Sequence, residues 1–513
     1  MPTASKKTAP RESPRKQPGI LRVARENFGY ESLRPGQEEA IRALLKKTDT
    51  LVVMPTGAGK SAIYQIAGLM IDGAILVVSP LIALQKDQVD SINSQEAGAE
   101  AVVINSTQRA AELRDAIEKI EHGEGRFIFL APEQLRKETT FETLEAARVK
   151  LFVVDEAHCI SEWGHDFRPD YLQLGPAVER LGHPPVLAMT ATASREVREE
   201  IVGRLGMRKP KIFVHGFDRP NIYLRVDHYD TDDKKLEALI QRVHWAAKPG
   251  IVYVGARKTA EAIMRHLEEE SISALFYHGG LRASERHLIQ ERFMSGDADV
   301  IVATNAFGMG IDKGNVRFVY HYDITESLDA YYQEIGRAGR DGERAEAVLF
   351  YRSEDIGAAS FKAAESKLAP AEAERVAEIV ADQANPVERD EISEQSRLSE
   401  RKVVTALHRL EDVGALEVLP TGEVQLAGDA DLAQAAEAAA EEQERRREIK
   451  RHRLLQMQEY AETRACRREH LLRYFGDGFT APCHNCDNCE AATGDSHGDI
   501  RVDPAIGARR EVA

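Results

Sequence analysis

No run of about 18 apolar residues occurs in the 513-residue chain, so no membrane-crossing helix is expected. Residues 1–19 lack the apolar segment of a secretion signal. They read as a disordered basic tail with Lys6, Lys7, Arg11, Arg15 and Lys16. A positive balance is missing too: 68 Lys and Arg against 84 Asp and Glu leave −16. That excludes nucleic-acid binding over the whole surface but not through a local basic groove. Cysteine is scarce, with five in all and four of them late in the chain. A disulfide-stapled secreted domain is thereby excluded, and a reducing compartment is expected: the cytoplasm, or the nucleoid of a bacterium. The length calls for several domains.

What is present centres on Met54-Pro-Thr-Gly-Ala-Gly-Lys-Ser61. An apolar strand, Thr50 to Val53, precedes it, and a helix-forming stretch follows. Strand, glycine-rich turn and Lys-Ser at a helix start make a phosphate-binding loop. Thr56, Gly57, Ala58 and Gly59 supply backbone N–H groups. Lys60 reaches the β- and γ-phosphates of ATP, and the Ser61 hydroxyl ligates Mg²⁺. The first glycine of the usual pattern is absent, and Met54 stands there. Upstream, Tyr30 offers a stacking face, and Gln37 a paired donor and acceptor for an adenine edge.

Apolar strands then alternate with helical stretches, which predicts an α/β fold with a parallel sheet. Leu151-Phe-Val-Val-Asp-Glu-Ala-His158 delivers carboxylates to the same sheet edge as the phosphate loop. Asp155 is expected to hold Mg²⁺, Glu156 to activate water and His158 to sense the γ-phosphate. Thr190-Ala-Thr-Ala-Ser194 follows a further strand, either coupling parts of the molecule or capping the next helix.

Asp155-Glu-Ala-His-Cys-Ile-Ser-Glu-Trp-Gly-His-Asp-Phe-Arg-Pro169 resembles motif II and the aromatic-rich loop of the RecQ family of DNA helicases. Arg34-Pro-Gly-Gln37 resembles that family's adenine-recognition motif, and the Met54 variant of the loop fits it. Trp163, His165, Phe167 and Arg168 combine stacking faces and charge, as a single-strand platform requires. Cys159 reads as a packed free thiol.

Residues 20–215 are thus expected to form a first RecA-like lobe and residues 216–355 a second, which lacks a phosphate loop. In Gln333-Glu-Ile-Gly-Arg-Ala-Gly-Arg-Asp-Gly342, Arg337 and Arg340 would share a face if helical, and could reach the γ-phosphate from the second lobe. With Gly308-Met-Gly-Ile-Asp312, this stretch resembles helicase motifs V and VI of the same family. The resemblance implies nucleotide contacts for Gly310 and Asp312. It implies DNA-backbone contacts for Arg257, His278, Gly279, Thr304 and Asn305.

Composition shifts after Tyr351. Residues 370–428 have a winged-helix pattern: a helix from Ala371 to Ala384, another over Asp390 to Gln395, a third capped by Ser399, then a two-stranded wing. Arg401, Lys402, His408 and Arg409 are expected on the outer face of the third helix. DNA and protein are both open as partners of this module. A charged helix arm, expected to be mostly solvated, runs from Gln434. Residues 429–492 close with Cys466 and then Cys483, Cys486 and Cys489, four thiolates for tetrahedral Zn²⁺. An iron–sulfur cluster is the competitor. The run Cys466-Arg-Arg-Glu-His-Leu-Leu-Arg-Tyr-Phe-Gly476 resembles the RecQ zinc-binding module. The order departs from the best-known members, because the winged-helix pattern precedes the zinc module. Residues 493–513 read as a flexible tail, and the family's HRDC domain is expected to be absent.

The resemblance implies an ATP- and Mg²⁺-dependent helicase with 3′ to 5′ polarity, acting on single-stranded, duplex and branched DNA in repair or recombination. Single-strand-binding or other repair proteins are its implied partners. A translocase that moves without separating strands, or an RNA helicase, stays open.

Overall fold

Parallel strands with both faces covered account for the two large sheets. The computed structural model describes residues 19–493, except 56, 81, 95–99, 106–107, 109, 162–167, 309–312, 358–367, 384, 420–422 and 429–430. The first sheet comprises β1 (Thr50–Val53), β2 (Ile75–Val78), β3 (Glu100–Ile104), β4 (Gly125–Leu130), β5 (Leu151–Val154), β6 (Val186–Thr190) and β7 (Lys211–Val214). Their order is β3-β4-β2-β5-β6-β1-β7, all parallel. β1, β2, β5 and β6 are buried at every position. Continuous apolar runs suit such strands because helices cover both faces. Val53 lies level with Thr190, and Val154 with Ala188, so the segments leaving β1, β6 and β5 share one edge. That edge is where parallel sheets present their ligands.

The second sheet holds β8 (Ile222–His228), β9 (Gly250–Tyr253), β10 (Ala274–Tyr277), β11 (Val300–Ala303), β12 (Phe318–His321) and β13 (Ala345–Tyr351). Its order is β10-β11-β9-β12-β13-β8, again parallel throughout.

Beyond it, helices Pro370–Ala381, Arg389–Ser396 and Glu400–Asp412 pack with an antiparallel pair, β14 (Leu416–Val418) and β15 (Val424–Leu426). Their core, including Val376, Ile392, Val403 and Leu410, is separate from those of the lobes. Ser399 occupies the N-cap position, but its side chain makes no capping hydrogen bond, contrary to expectation.

The long helix Leu432–Glu462 is solvated over most of its residues, as expected, but is anchored at both ends. Its first turns bury Ala436 and Ala439 in the accessory core. Its last turns bury Met457, Tyr460 and Ala461 in the core of the lobes. At 31 residues it spans about 46 Å and braces one unit against the other. Even a charged residue joins that anchor: Arg453, 7% exposed, buries its stem and donates to Ser327 Oγ at 3.3 Å.

Candidate active site between the two lobes

The phosphate loop is fastened from upstream. Gln37 is buried, and its amide nitrogen donates to the carbonyls of Ala58 (3.2 Å) and Gly59 (2.9 Å). Its amide oxygen accepts from Arg34 N at 2.9 Å. Arg34 also donates to Gly57 O. Gln37 thus clasps the phosphate loop through its amide nitrogen and the upstream turn through its amide oxygen. Gly59, at φ 77°, starts the helix Lys60–Met70, and a Cβ there would sit 2.8 Å from the Gln37 amide. Only glycine suits both demands. Tyr30, 41% exposed, stacks on Phe28.

Lys60 Nζ donates to Met54 O at 3.0 Å. Burial lowers its pKa, which Glu156 and Asp155 oppose, while the charge of Arg340 in the second lobe lowers it further. The two lobes thus place opposite ends of one charge cluster within electrostatic reach. Ser61 Oγ accepts from Gln88 Nε2 at 3.4 Å, and Gln88 in turn accepts from Tyr64 OH at 2.7 Å.

Asp155 follows β5, with its N–H bonded to Val78 O at 2.9 Å. One carboxylate oxygen accepts from Glu156 N (3.0 Å) and the other from Ser79 Oγ (3.5 Å). Burial, then the neighbouring Glu156, raises its pKa. Burial also pushes Glu156 upward, but His158, Lys60 and Arg168 overcome it and hold that carboxylate below its ordinary range. Glu156 takes a left-handed φ of 47°, a strained conformation for a non-glycine residue. Its Oε2 is buried without a hydrogen-bond partner, though His158 Nδ1 lies 3.4 Å away. His158 is buried and bonds Thr190 Oγ1 at 2.9 Å. Within Thr190–Ser194 the expected cap is present, since Ser194 Oγ accepts from Val197 N at the start of the next helix. Cys159 is buried as expected, its Sγ 3.8 Å from His158 Nε2.

In the second lobe, Arg337 and Arg340 are not helical. The helix Leu328–Ile335 stops before them, and Gly339, at φ 55°, turns the chain. Arg337 is buried and donates to Gly308 O, while Arg340 is the one whose charge reaches Lys60. Sequence reading missed what holds this turn. Arg219, between β7 and β8, donates to the carbonyls of Gly336, Ala338 and Gly339.

Arg257, His278, Gly279, Thr304 and Asn305 gather at the C-terminal ends of the adjacent strands β9, β10 and β11. Arg257, Gly279 and Asn305 are exposed, whereas His278 and Thr304 are buried. His278 Nε2 lies 3.3 Å from Glu261, and its Nδ1 has no partner. Arg168 turns back to donate to Pro80 O at 3.3 Å. Thr56, Trp163, His165, Phe167, Gly310 and Asp312 lie outside the described residues.

The basic face expected on helix Glu400–Asp412 is largely spent. Lys402 pairs with Glu372 at 2.5 Å, and Arg409 with Asp412 at 2.5 Å. His408 is exposed, and the side chain of Arg401 is outside the described residues.

Cys466, Cys483, Cys486 and Cys489 bring four sulfurs within 4.8 Å of one another, and those of Cys483 and Cys489 lie 3.9 Å apart. Thiolates about 2.3 Å from a tetrahedral zinc would be separated by about 3.8 Å, so the donors fit that ion. This unit docks on β8. Leu224 N bonds Asn485 O at 3.3 Å, and Asp487 accepts from both Val226 N (3.0 Å) and Arg467 Nε (2.6 Å). Arg468 reaches Asp218 and Ile222 O, and Phe475 stacks on Phe217 at 4.6 Å. The module therefore sits on the second lobe in space despite its distance in sequence.

Three family profiles match the chain. A DEAD/DEAH box helicase profile covers residues 34–200, a helicase conserved C-terminal domain 228–342, and RecQ zinc-binding 427–490. The chain is 36% identical over 472 residues to the probable ATP-dependent DNA helicase RecS of Bacillus subtilis (strain 168), covering 90% of each. It is 37% identical over 480 residues to the ATP-dependent DNA helicase RecQ of Pasteurella multocida (strain Pm70), covering 93% of this chain and 63% of that protein. Among solved structures, the DUF1998 helicase MrfA bound to DNA superposes with a TM-score of 0.54 at 17% identity, covering 81% of this chain and 63% of that one. At that identity the likeness is one of fold.

Proposed function

The chain belongs to the RecQ family of ATP-dependent DNA helicases, and on that premise we propose that it couples ATP hydrolysis between its two lobes to 3′ to 5′ separation of DNA strands. One observation carries this reading: the sheet order brings Lys60 after β1 and Asp155 and Glu156 after β5 to one edge, and the matched helicase C-terminal segment carries Arg337 and Arg340. Such an arrangement suits a phosphoryl-transfer site assembled by lobe closure.

ATP stacks its base on Tyr30 and lays its phosphates on the loop from Thr56 to Ser61. Arg34 and Gln37 keep that loop in shape. Lys60 leaves the Met54 carbonyl for the β- and γ-phosphates. Ser61 and Asp155 offer the hard oxygen donors that suit Mg²⁺, which neutralises phosphate charge when bound. Glu156, held ionised by His158, takes a proton from the attacking water. Arg340, with Arg337 behind it, stabilises the charge of the transition state. Gly310 and Asp312 complete the nucleotide contacts.

Single-stranded DNA crosses the edge formed by Arg257, His278, Gly279, Thr304 and Asn305. The aromatic loop with Trp163, His165 and Phe167 gives its bases stacking faces, and Arg168 anchors that loop. Zn²⁺ held by Cys466, Cys483, Cys486 and Cys489 fixes the accessory unit on β8. Residues 370–428 form a winged-helix module at the tip of the long helix. The working compartment is the reducing cytoplasm, and the work is DNA repair or recombination alongside other repair proteins.

The test is Lys60→Ala. The folded variant should lose DNA-stimulated ATP hydrolysis and unwinding of tailed, forked and four-way-junction DNA. Full hydrolysis by the variant overturns the site. In the wild type, hydrolysis without strand separation points to a translocase, and RNA-restricted unwinding to an RNA helicase.

A further inference from the structure

Residues 201–227 fall between the two matched helicase segments, and the stretch from Phe217 into the first residue of β8, Ile222, lies within them. Its contacts reach in two directions. Toward the second lobe, the Arg219 guanidinium donates to Gly336 O (3.0 Å), Ala338 O (2.8 Å) and Gly339 O (3.0 Å). Asn221 Nδ2 adds bonds to Gly339 O and Glu343 O, each 2.8 Å. These acceptors are the backbone of the turn that carries Arg337 and Arg340. A planar guanidinium donating to three carbonyls fixes a turn in orientation as well as position, which a single ammonium cannot do.

Toward the cysteine module, Arg468 pairs with Asp218 at 2.5 Å and donates to Ile222 O at 2.7 Å. Asn485, between two of the cysteines, donates to Pro220 O (2.9 Å) and Ile222 O (3.0 Å). Arg219 therefore belongs to a segment held by the metal-binding unit on one side while gripping the arginine turn on the other. The helix Leu328–Ile335 cannot set that turn alone, because it ends at Ile335 and glycines follow at 336 and 339.

We propose that Arg219 is a positioning residue for ATP hydrolysis: through the backbone of Gly336–Gly339 it sets where Arg340 meets the transferred phosphate. This rests on the ATP-hydrolysing reading of the site. Arg219 touches no nucleotide in this scheme, so its loss should act on kcat and spare nucleotide binding. A misplacement of about 1 Å at such a site costs about 10²-fold in rate.

The experiment compares Arg219→Ala, Arg219→Lys, Arg340→Ala and the double variant Arg219→Ala/Arg340→Ala in the full chain. It measures kcat, KM for ATP, single-strand affinity, bound zinc and Tm. Arg219→Ala should lower kcat about 10²-fold with KM, DNA affinity and zinc near wild type. Arg219→Lys should fall between, and it carries the test if the alanine variant does not fold. In the double variant the loss should match that of Arg340→Ala alone, since both act through one group. Wild-type kcat in the folded Arg219 variants overturns the proposal, as does a multiplicative loss in the double variant. A wild-type protein without DNA-stimulated hydrolysis would refute the underlying reading instead.

Discussion

His158 Nδ1 lies 2.9 Å from Thr190 Oγ1, and the Thr190 hydroxyl in turn donates to Thr192 O at 3.0 Å. The threonine oxygen thus accepts from the ring N–H, and the same nitrogen lies 3.4 Å from Glu156 Oε2. One imidazole joins the proposed water-activating carboxylate to the neighbouring strand. Thr190→Val keeps the shape and removes the oxygen. One hydrogen bond of about 1–1.5 kcal/mol corresponds to about a tenfold loss of kcat. Steady-state ATPase assays with saturating DNA will read it, and unchanged kcat would separate His158 from the chemistry.

Gly59→Ala adds a Cβ 2.8 Å from the Gln37 amide at a residue with φ 77°. The left-handed conformation alone costs about 1–2 kcal/mol for a residue with a side chain. Nucleotide affinity should fall about tenfold or more, measured with a fluorescent ATP analogue. Gln37→Ala should weaken binding in the same direction by freeing the Ala58 and Gly59 carbonyls. Affinities equal to wild type would contradict the role given to this clasp.

Asp412 bridges Arg409 (2.5 Å) and Arg446 (3.1 Å) where the accessory helices meet the long helix. Burial raises its pKa from 3.8 to about 6, against the pull of Arg409. The folded state therefore binds this proton more tightly than the unfolded chain. Its contribution to stability is full below pH 3.8 and is lost as pH rises through about 6. The Tm difference between wild type and Asp412→Asn should shift against the wild type from pH 5 to pH 7. A flat difference across that interval would show that Asp412 does not titrate as proposed.

Cys486→Ser removes one of four clustered sulfurs and should abolish stoichiometric zinc by metal analysis. Tm should drop by several degrees, because Asn485 and Asp487 beside it hold β8. Retained zinc at one equivalent would strike Cys486 from the ligand set.

The sequence was most readable where burial is complete. β1, β2, β5 and β6 are apolar at nearly every position because helices cover both faces. The carboxylates after β5 and the lysine after β1 were legible from their place at strand ends. Strands β3 and β7 were not anticipated; they lie at the rims of the first sheet, open with a charged residue and are incompletely buried. Neither were β8 and β13, whose pairing spans more than a hundred residues. The grip of Arg219 on Gly336 O bridges 117 positions and joins a side chain to a backbone, so no local pattern announces it. Lys402 looked free because its partner Glu372 stands on another helix, whereas Asp412, three residues beyond Arg409 on the same helix, was within reach of the sequence and was overlooked.

The sulfur cluster also has a bearing on solubility. β8 is an outermost strand, and on its open side Leu224 bridges to Cys486 in parallel while Asp487 accepts from Val226 N. The metal-binding unit is thus a sheath over a row of backbone donors and acceptors. Stripped of it, that row becomes a template for pairing with another chain. Chelation should therefore yield associating protein before it yields monomeric protein that merely lacks activity, and light scattering should rise ahead of any loss of helical signal.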